Sequence, residues 1–302
     1  MFDSIESVEK ALRAENYIAD RALATVLYLA WRLKKPLFLE GEPGVGKTET
    51  AAVVARALNA DLIRLQCYEG LDANHALYEW NYPRQILAIK LGEECGTDRQ
   101  FLGRTIFTEE FLIKRPLLQA ILSSQEREPV LLIDEIDRSD EEFEALLLEV
   151  LSEFQVSIPE IGTLKAIRRP LVILTSNRTR DIHDALKRRC LYHWIDYPTP
   201  EKEREIIAAR LPGVADELAL QVAQFMKRVR GEDLVKRPGV AETLDWAAAL
   251  LALDRLYLDE ETVEETLGCI LKYREDILHF QEMWKNRVFR EELLCDVLER
   301  LC

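Results

Sequence analysis

Residues 36 to 50 read Pro-Leu-Phe-Leu-Glu-Gly-Glu-Pro-Gly-Val-Gly-Lys-Thr-Glu-Thr, and this stretch constrains everything around it. The apolar run Leu37-Phe38-Leu39 has the composition of a buried strand. It passes directly into Gly41-Glu42-Pro43-Gly44-Val45-Gly46-Lys47-Thr48, and apolar residues at helical spacing follow at once: Ala51, Ala52, Val54, Ala55 and Leu58. Strand, Gly-x4-Gly-Lys-Thr and helix together form the context of a phosphate-binding loop. The glycines let backbone N–H groups turn inward on a polyphosphate, and the helix N-terminus adds its positive end. Gly41, Glu42, Pro43, Gly44, Val45, Gly46, Lys47, Thr48 and Glu49 are therefore the candidate nucleotide site. In it Lys47 reaches the β- and γ-phosphates and the Thr48 hydroxyl ligates Mg²⁺. At a glycine frequency of about 7%, the bare pattern arises by chance in roughly one chain of this length in a hundred. The flanking strand and helix make chance rarer still.

A second run, Val130-Leu131-Leu132-Ile133, ends in Asp134-Glu135, as a buried parallel strand does when its C-terminal tip reaches a ligand. Asp134 is the candidate holder of Mg²⁺ through water, and Glu135 the group that orients and polarises an attacking water. A third run, Leu171 to Leu174, ends in Thr175-Ser176-Asn177. Asn177 either places that water or simply closes the strand. Lys187-Arg188-Arg189 precedes a last apolar strand and reads by default as a solvated basic turn.

Between these landmarks, residues 4 to 33 have helical spacing with a break near Glu15-Asn16-Tyr17, and Tyr17 and Ile18 are candidates either for a base pocket or for ordinary helix packing. Asp61 to Gln66 reads as a strand. Residues 68 to 105 read as irregular and hold the aromatics Tyr78, Trp80 and Tyr82 ahead of Pro83; residues 107 to 122 read as helical, broken at Pro116. Alternation on both sides of Pro159-Glu-Ile-Gly162 predicts a β-hairpin over 155 to 166. Thr199-Pro200 is a helix start, and every pattern from there to Cys302 is helical. The expected architecture is a doubly wound parallel αβα domain over 1–198 and an all-α lid over 199–302.

Hydrophobic residues make up 48% and charged residues 31%, an ordinary globular composition. A net charge of −14 argues against a nucleic-acid track, which needs clustered Lys and Arg. The six cysteines lack C-x-x-C spacing and the four histidines show no ligand spacing, so no structural metal is expected. No apolar run approaches the ~20 residues of a membrane span, and the acidic start lacks the basic region of a signal peptide. A cytoplasmic location is the resulting expectation.

The order of phosphate loop, Asp-Glu strand, Asn-tipped strand, Arg turn and helical tail resembles the AAA+ ATPases, and the details resemble the MoxR family within them. The residues that carry the resemblance are Gly41 to Thr48, Leu131-Leu-Ile-Asp-Glu-Ile-Asp-Arg138, the hairpin segment, and Thr175-Ser-Asn-Arg178. Glu79-Trp-Asn-Tyr-Pro83 with Phe107-Thr-Glu-Glu-Phe111 is further similar to the branch associated with carbon monoxide dehydrogenase maturation. The resemblance spans residues 10 to 300. It implies ATP and Mg²⁺ as cofactors, Lys47 and Thr48 as the phosphate-loop pair, Asp134 as the metal acid, Glu135 as the catalytic acid and Asn177 as the first sensor.

Two places depart from the family pattern. Its arginine finger sits in Asp-Arg-Phe, whereas this chain has Lys187-Arg188-Arg189-Cys190, leaving Arg189 as first choice and Arg188 as rival. Its second sensor Arg follows a Pro, whereas Arg237 precedes Pro238. The family also implies an insert over about 75–105, a ring hexamer, a von Willebrand A-type partner, and chaperone work that remodels a partner or matures a metalloenzyme. The aromatics of the insert and the hairpin are the expected grip on that partner. A nucleic-acid-dependent ATPase, a small-molecule kinase and a non-hydrolysing nucleotide switch are the alternatives.

Overall fold

The computed structural model describes residues 2–94, 105–123, 128–286 and Arg290. Part of the expected insert, and Cys95, Cys295 and Cys302, lie outside them. The chain forms two compact units. One comprises Met1–Val8, Arg21–Glu40 and Thr48–Trp194; the other comprises Glu9–Asp20, Gly41–Lys47 and Ile195–Cys302.

The first unit is built on a five-stranded sheet. Its strands are β1 (Leu37–Gly41), β2 (Leu62–Gln66), β5 (Val130–Asp134), β8 (Leu171–Ser176) and β9 (Leu191–Ile195), in the order β2-β5-β8-β1-β9. The pairs β1–β8, β2–β5 and β5–β8 are parallel. Every residue of β1, β5 and β8 is buried, because helices cover both faces of a parallel sheet and leave no polar side. Strand β2, at the edge, alternates instead and turns Leu62 and Arg64 outward. Strand β1 lies between β8 and β9, so the connection from β8 to β9 crosses it while β2 departs to the far edge. In such doubly wound sheets, ligands gather beyond the strand C-termini.

In chain order up to Lys187, the helices are α1 (Ile5–Ala14), α2 (Arg21–Leu33), α3 (Lys47–Leu58), α4 (Ala73–Ala76), α5 (Tyr82–Glu94), α6 (Pro116–Leu122), α7 (Glu141–Glu153) and α8 (Asp184–Lys187). The break expected near Asn16 is there, with Asn16 in the left-handed region. Asp140 caps α7 by accepting from the Phe143 N–H at 2.8 Å. The hairpin also forms, as β6 (Gln155–Ile158) and β7 (Gly162–Lys165).

Two expectations fail between 68 and 122. Residues 82–94 are a helix, because Pro83 falls at its second position, where a missing N–H costs nothing. Residues 107–114 are not helical. They form a 3₁₀ turn (Glu109–Phe111) and β4 (Leu112–Lys114), which pairs antiparallel with β3 (Tyr78–Trp80). Pro116 explains this, since it holds Arg115 extended (φ −89°, ψ 168°) and starts α6 at its own position. Trp80 is buried in the main core and meets Phe107 edge-on at 5.3 Å.

Beyond β9 the described part of the second unit is helical: α9 (Pro200–Arg210), α10 (Asp216–Val229), α11 (Val240–Ala252), α12 (Glu260–Ile270) and α13 (Arg274–Trp284). Thr199 caps α9 and Pro200 opens it. Its core centres on Phe225, Trp246, Phe280 and Trp284, with the Phe225 and Trp246 rings 5.0 Å apart. The buried Trp246 Nε1–H donates to Thr266 Oγ1 at 2.7 Å, which satisfies its one polar atom. Among the described residues, no helix is long and apolar enough to cross a membrane.

Candidate active site

At the C-terminal tips of β5 and β8, three polar side chains converge on Asp134. Its Oδ1 accepts from Thr48 Oγ1 (2.9 Å) and from Thr175 Oγ1 (2.6 Å). Its Oδ2 accepts from Arg64 Nε (3.1 Å) and Nη2 (2.5 Å). The carboxylate is buried, and these bonds fix its plane. Thr175 and Arg64 were not anticipated. Arg64 carried a signal, as a cation on a strand otherwise apolar on alternate positions, but which carboxylate it meets depends on β2 lying beside β5.

Glu135 follows in the left-handed region (φ 56°, ψ 52°), which turns its side chain off the strand line. The strain of a non-glycine residue there, of order 1–3 kcal/mol, is characteristic of functional sites. Its amide donates to Thr175 Oγ1 at 2.9 Å. Gln66 Nε2 (3.0 Å) and Arg138 Nη1 (3.1 Å) both donate to its Oε2. Asn177 Nδ2 stands 3.5 Å from Oε1, so the expected sensor and the expected base face one another. The Asn177 backbone is anchored by Asp137, whose carboxylate also accepts from Thr179 N–H (2.9 Å) and Oγ1 (2.7 Å). Beneath them, burial and the charge of Asp134 push the Cys67 thiol up to about 12, so it is an unreactive core group.

In the second unit, Lys47 Nζ donates to the carbonyls of Gly41 and Glu42, both at 2.7 Å, and bridges the loop from inside. Glu49 sits in the first turn of α3 with its carboxylate on Arg56 at 3.1 Å, leaving its backbone as the part suited to phosphate. Gly44 has φ +77° and lies against Gly239; a Cβ on Gly239 would come 2.7 Å from Gly44 Cα. The Val240 N–H donates to the Gly44 carbonyl at 2.9 Å, closing this backbone contact.

Arg230, unforeseen from sequence, holds the other side of that contact. Its guanidinium donates to Glu203 twice at 2.7 Å, to the Pro238 carbonyl at 2.8 Å and to the Gly239 carbonyl at 3.2 Å. A buried bidentate pair of this kind is costly to break, about 3–5 kcal/mol, because one charge is left uncompensated. Arg237, next to Pro238, is exposed, and its charge reaches Tyr197. The Tyr197 hydroxyl is pushed up by burial and then by Glu42, against Arg230 and Arg237. Gly239→Ala is expected to overpack Gly44, at about 1–3 kcal/mol. It should lower both the melting temperature and nucleotide affinity, measured by thermal unfolding and by titration with a fluorescent nucleotide.

The two finger candidates part company. Arg189 Nη1 donates to the Leu148 carbonyl and, at 2.5 Å, to Ser152 Oγ, so its guanidinium is engaged on the end of α7. Arg188 is exposed, and its side chain has no hydrogen bond or ion pair among the described residues.

The chain is 27% identical over 215 residues to Lon protease of Campylobacter jejuni, an alignment covering 68% of this chain and 24% of that protein. It thus spans about a quarter of that relative's length. Among solved structures, a mutant of Thermotoga maritima RuvB superposes with a TM-score of 0.49 at 20% identity, covering 95% of this chain and 78% of that one. The Thermotoga maritima RuvB Holliday junction branch migration motor gives 0.45 at 20%, covering 96% and 78%. The profile of the ATPase family associated with various cellular activities (AAA) matches residues 37–195, from the first strand of the sheet to the last. That is more than half of the sequence and contains the loop, the Asp-Glu tip and Asn177: the chain belongs to the AAA family and is an ATP-hydrolysing P-loop enzyme.

Proposed function

We propose that this ATPase is a MoxR-type chaperone, working as a cytoplasmic ring that remodels a partner protein or assists maturation of a metalloenzyme. The observation that carries this reading is the outer face of α5. Tyr82, Ile86, Leu87 and Leu91 are 60%, 54%, 57% and 53% exposed, in two i, i+4 pairs on one short helix. Clustered exposed apolar side chains mark interaction sites. Trp80, expected to share in the grip, is core instead, and Ile161 of the hairpin packs against the same core. The gripping role therefore moves to α5.

The site residues fit water-driven phosphoryl transfer. Thr48 Oγ1 and Asp134 Oδ1, 2.9 Å apart, are a hard-oxygen pair suited to Mg²⁺, which keeps most of its waters and needs no protein cage. When bound, Mg²⁺ would neutralise charge on the β- and γ-phosphates. Lys47 binds those phosphates, Glu135 takes the proton of the attacking water, Asn177 orients that water against Glu135, and Arg188 serves a neighbouring subunit. Arg237 is the candidate second sensor.

Pull-down with the Glu135→Gln protein held in ATP tests the reading. Recovery of a von Willebrand A-type protein or a metalloenzyme, lost in Tyr82→Ser/Leu87→Ser, is the expected result, with basal hydrolysis of that double variant within about twofold of the parent. Recovery of nucleic acid alone would favour the nucleic-acid-dependent alternative and sink the chaperone.

A further inference from the structure

At the N-terminal edge of the sheet, opposite Asp134 and Thr175, Lys34, Lys35, Ser152, Phe154, Arg169 and Arg189 line a cavity of about 330 Å³. Its position follows from the topology. Lys34 and Lys35 lead into β1, Arg169 precedes β8, Arg189 precedes β9, and Phe154 ends α7. The volume falls at the lower end of small-ligand pockets, which run about 300–1,000 Å³. Among the described residues, every charged one that lines it is a cation.

Two of the four cations are already engaged. Lys34 pairs with Glu128 and lies 3.9 Å from the centre of the Trp31 ring. Arg189 is held by the Leu148 carbonyl and Ser152 Oγ. The other two are not. Lys35 has no hydrogen-bond or ion-pair partner among the described residues. Arg169 rests over the Phe154 ring at 5.3 Å, and its N–H donors have no hydrogen-bond or ion-pair partner among the described residues. Glu128 offsets one charge, so a net excess of cations surrounds a small volume in a chain of net charge −14. Clustered like charges repel, and an anion among them is drawn in.

We propose that this cavity is a second anion site, separate from the phosphate loop, which takes a compact ligand bearing two or more phosphate groups. Several charges in a small volume match phosphates better than single carboxylates. The Arg169 fork suits two phosphate oxygens at once, and Lys35 supplies a point charge beside it. The ligand is either a free polyphosphate or the phosphate tail of a nucleotide.

Calorimetric titration of pyrophosphate and of ADP into the full-length Lys47→Ala chain, whose phosphate loop is disabled, tests this. Saturable binding at one site per chain is expected for pyrophosphate. Lys35→Ala/Arg169→Ala in the same background should weaken it at least about tenfold, as loss of charge-assisted contacts does. Both replaced residues are exposed, so the variant should keep its melting temperature. Equal loss for ADP assigns the site to a nucleotide tail, whereas binding of pyrophosphate alone assigns a free polyphosphate. Arg32→Ala, an exposed cation outside the cavity, is the control. The inference is overturned if neither ligand binds the Lys47→Ala chain, or if Arg32→Ala weakens binding as much as the double variant.

Discussion

Glu135→Gln is expected to bind ATP normally and hydrolyse it about 10²–10⁴ times more slowly, the usual contribution of a positioned general base. The substitution keeps the length of the side chain and one oxygen for the Gln66 and Arg138 donors, so the arrangement around it should persist. What disappears is the basic oxygen 3.5 Å from Asn177. Lys47→Ala should behave differently, losing nucleotide affinity itself, because the cation that bridges the loop is the one placed to meet phosphate. Phosphate release and equilibrium nucleotide binding, measured on both proteins, separate the two roles. Hydrolysis by Glu135→Gln at the parental rate would remove Glu135 from the reaction.

Arg188→Ala should be as damaging by another route. An arginine offered across a subunit boundary contributes about 10³–10⁵ to turnover, and Arg188 is exposed, its side chain without a partner among the described residues. Arg189→Ala should cost much less hydrolysis, with its main effect a lower melting temperature as the α7 end loses its donor. Specific activity of the parent should rise with protein concentration. Mixing Arg188→Ala with Glu135→Gln subunits should restore part of the activity, since some interfaces then combine an intact base with an intact arginine. Loss confined to Arg189→Ala, or activity of the parent independent of concentration, would reverse the assignment.

What the sequence revealed and what it hid follow from the range of the interactions. Strands β1, β5 and β8 are continuous apolar runs because both their faces are covered, so burial and acid tip are written consecutively. The caps at Asp140 and Thr199 are equally local. Arg64 on Asp134, 70 residues apart, and Arg230 on Glu203, 27 apart, depend on which elements become neighbours, and no local pattern specifies that. Residues 107–114 misled for the same reason. Their helical spacing was outweighed by β3, a partner strand some thirty residues earlier, and by Pro116. Trp80 looked like an exposed grip because its burial rests on Phe107, at a distance along the chain.

The Gly44–Gly239 contact provides a built-in reporter. A single amide, that of Val240, donates to the phosphate loop's carbonyl, and it belongs to the first turn of α11, where helix N–H groups have no partner within the helix. Its exchange with deuterated solvent is therefore governed by that contact rather than by unwinding of α11. Opening free energies vary from site to site within one protein, so a protection factor at Val240 that changes on nucleotide addition, while the amides of mid-α11 stay constant, would time the parting of loop and helix at one atom. No label needs to be attached, and the two glycines that make the approach close enough leave no room for one.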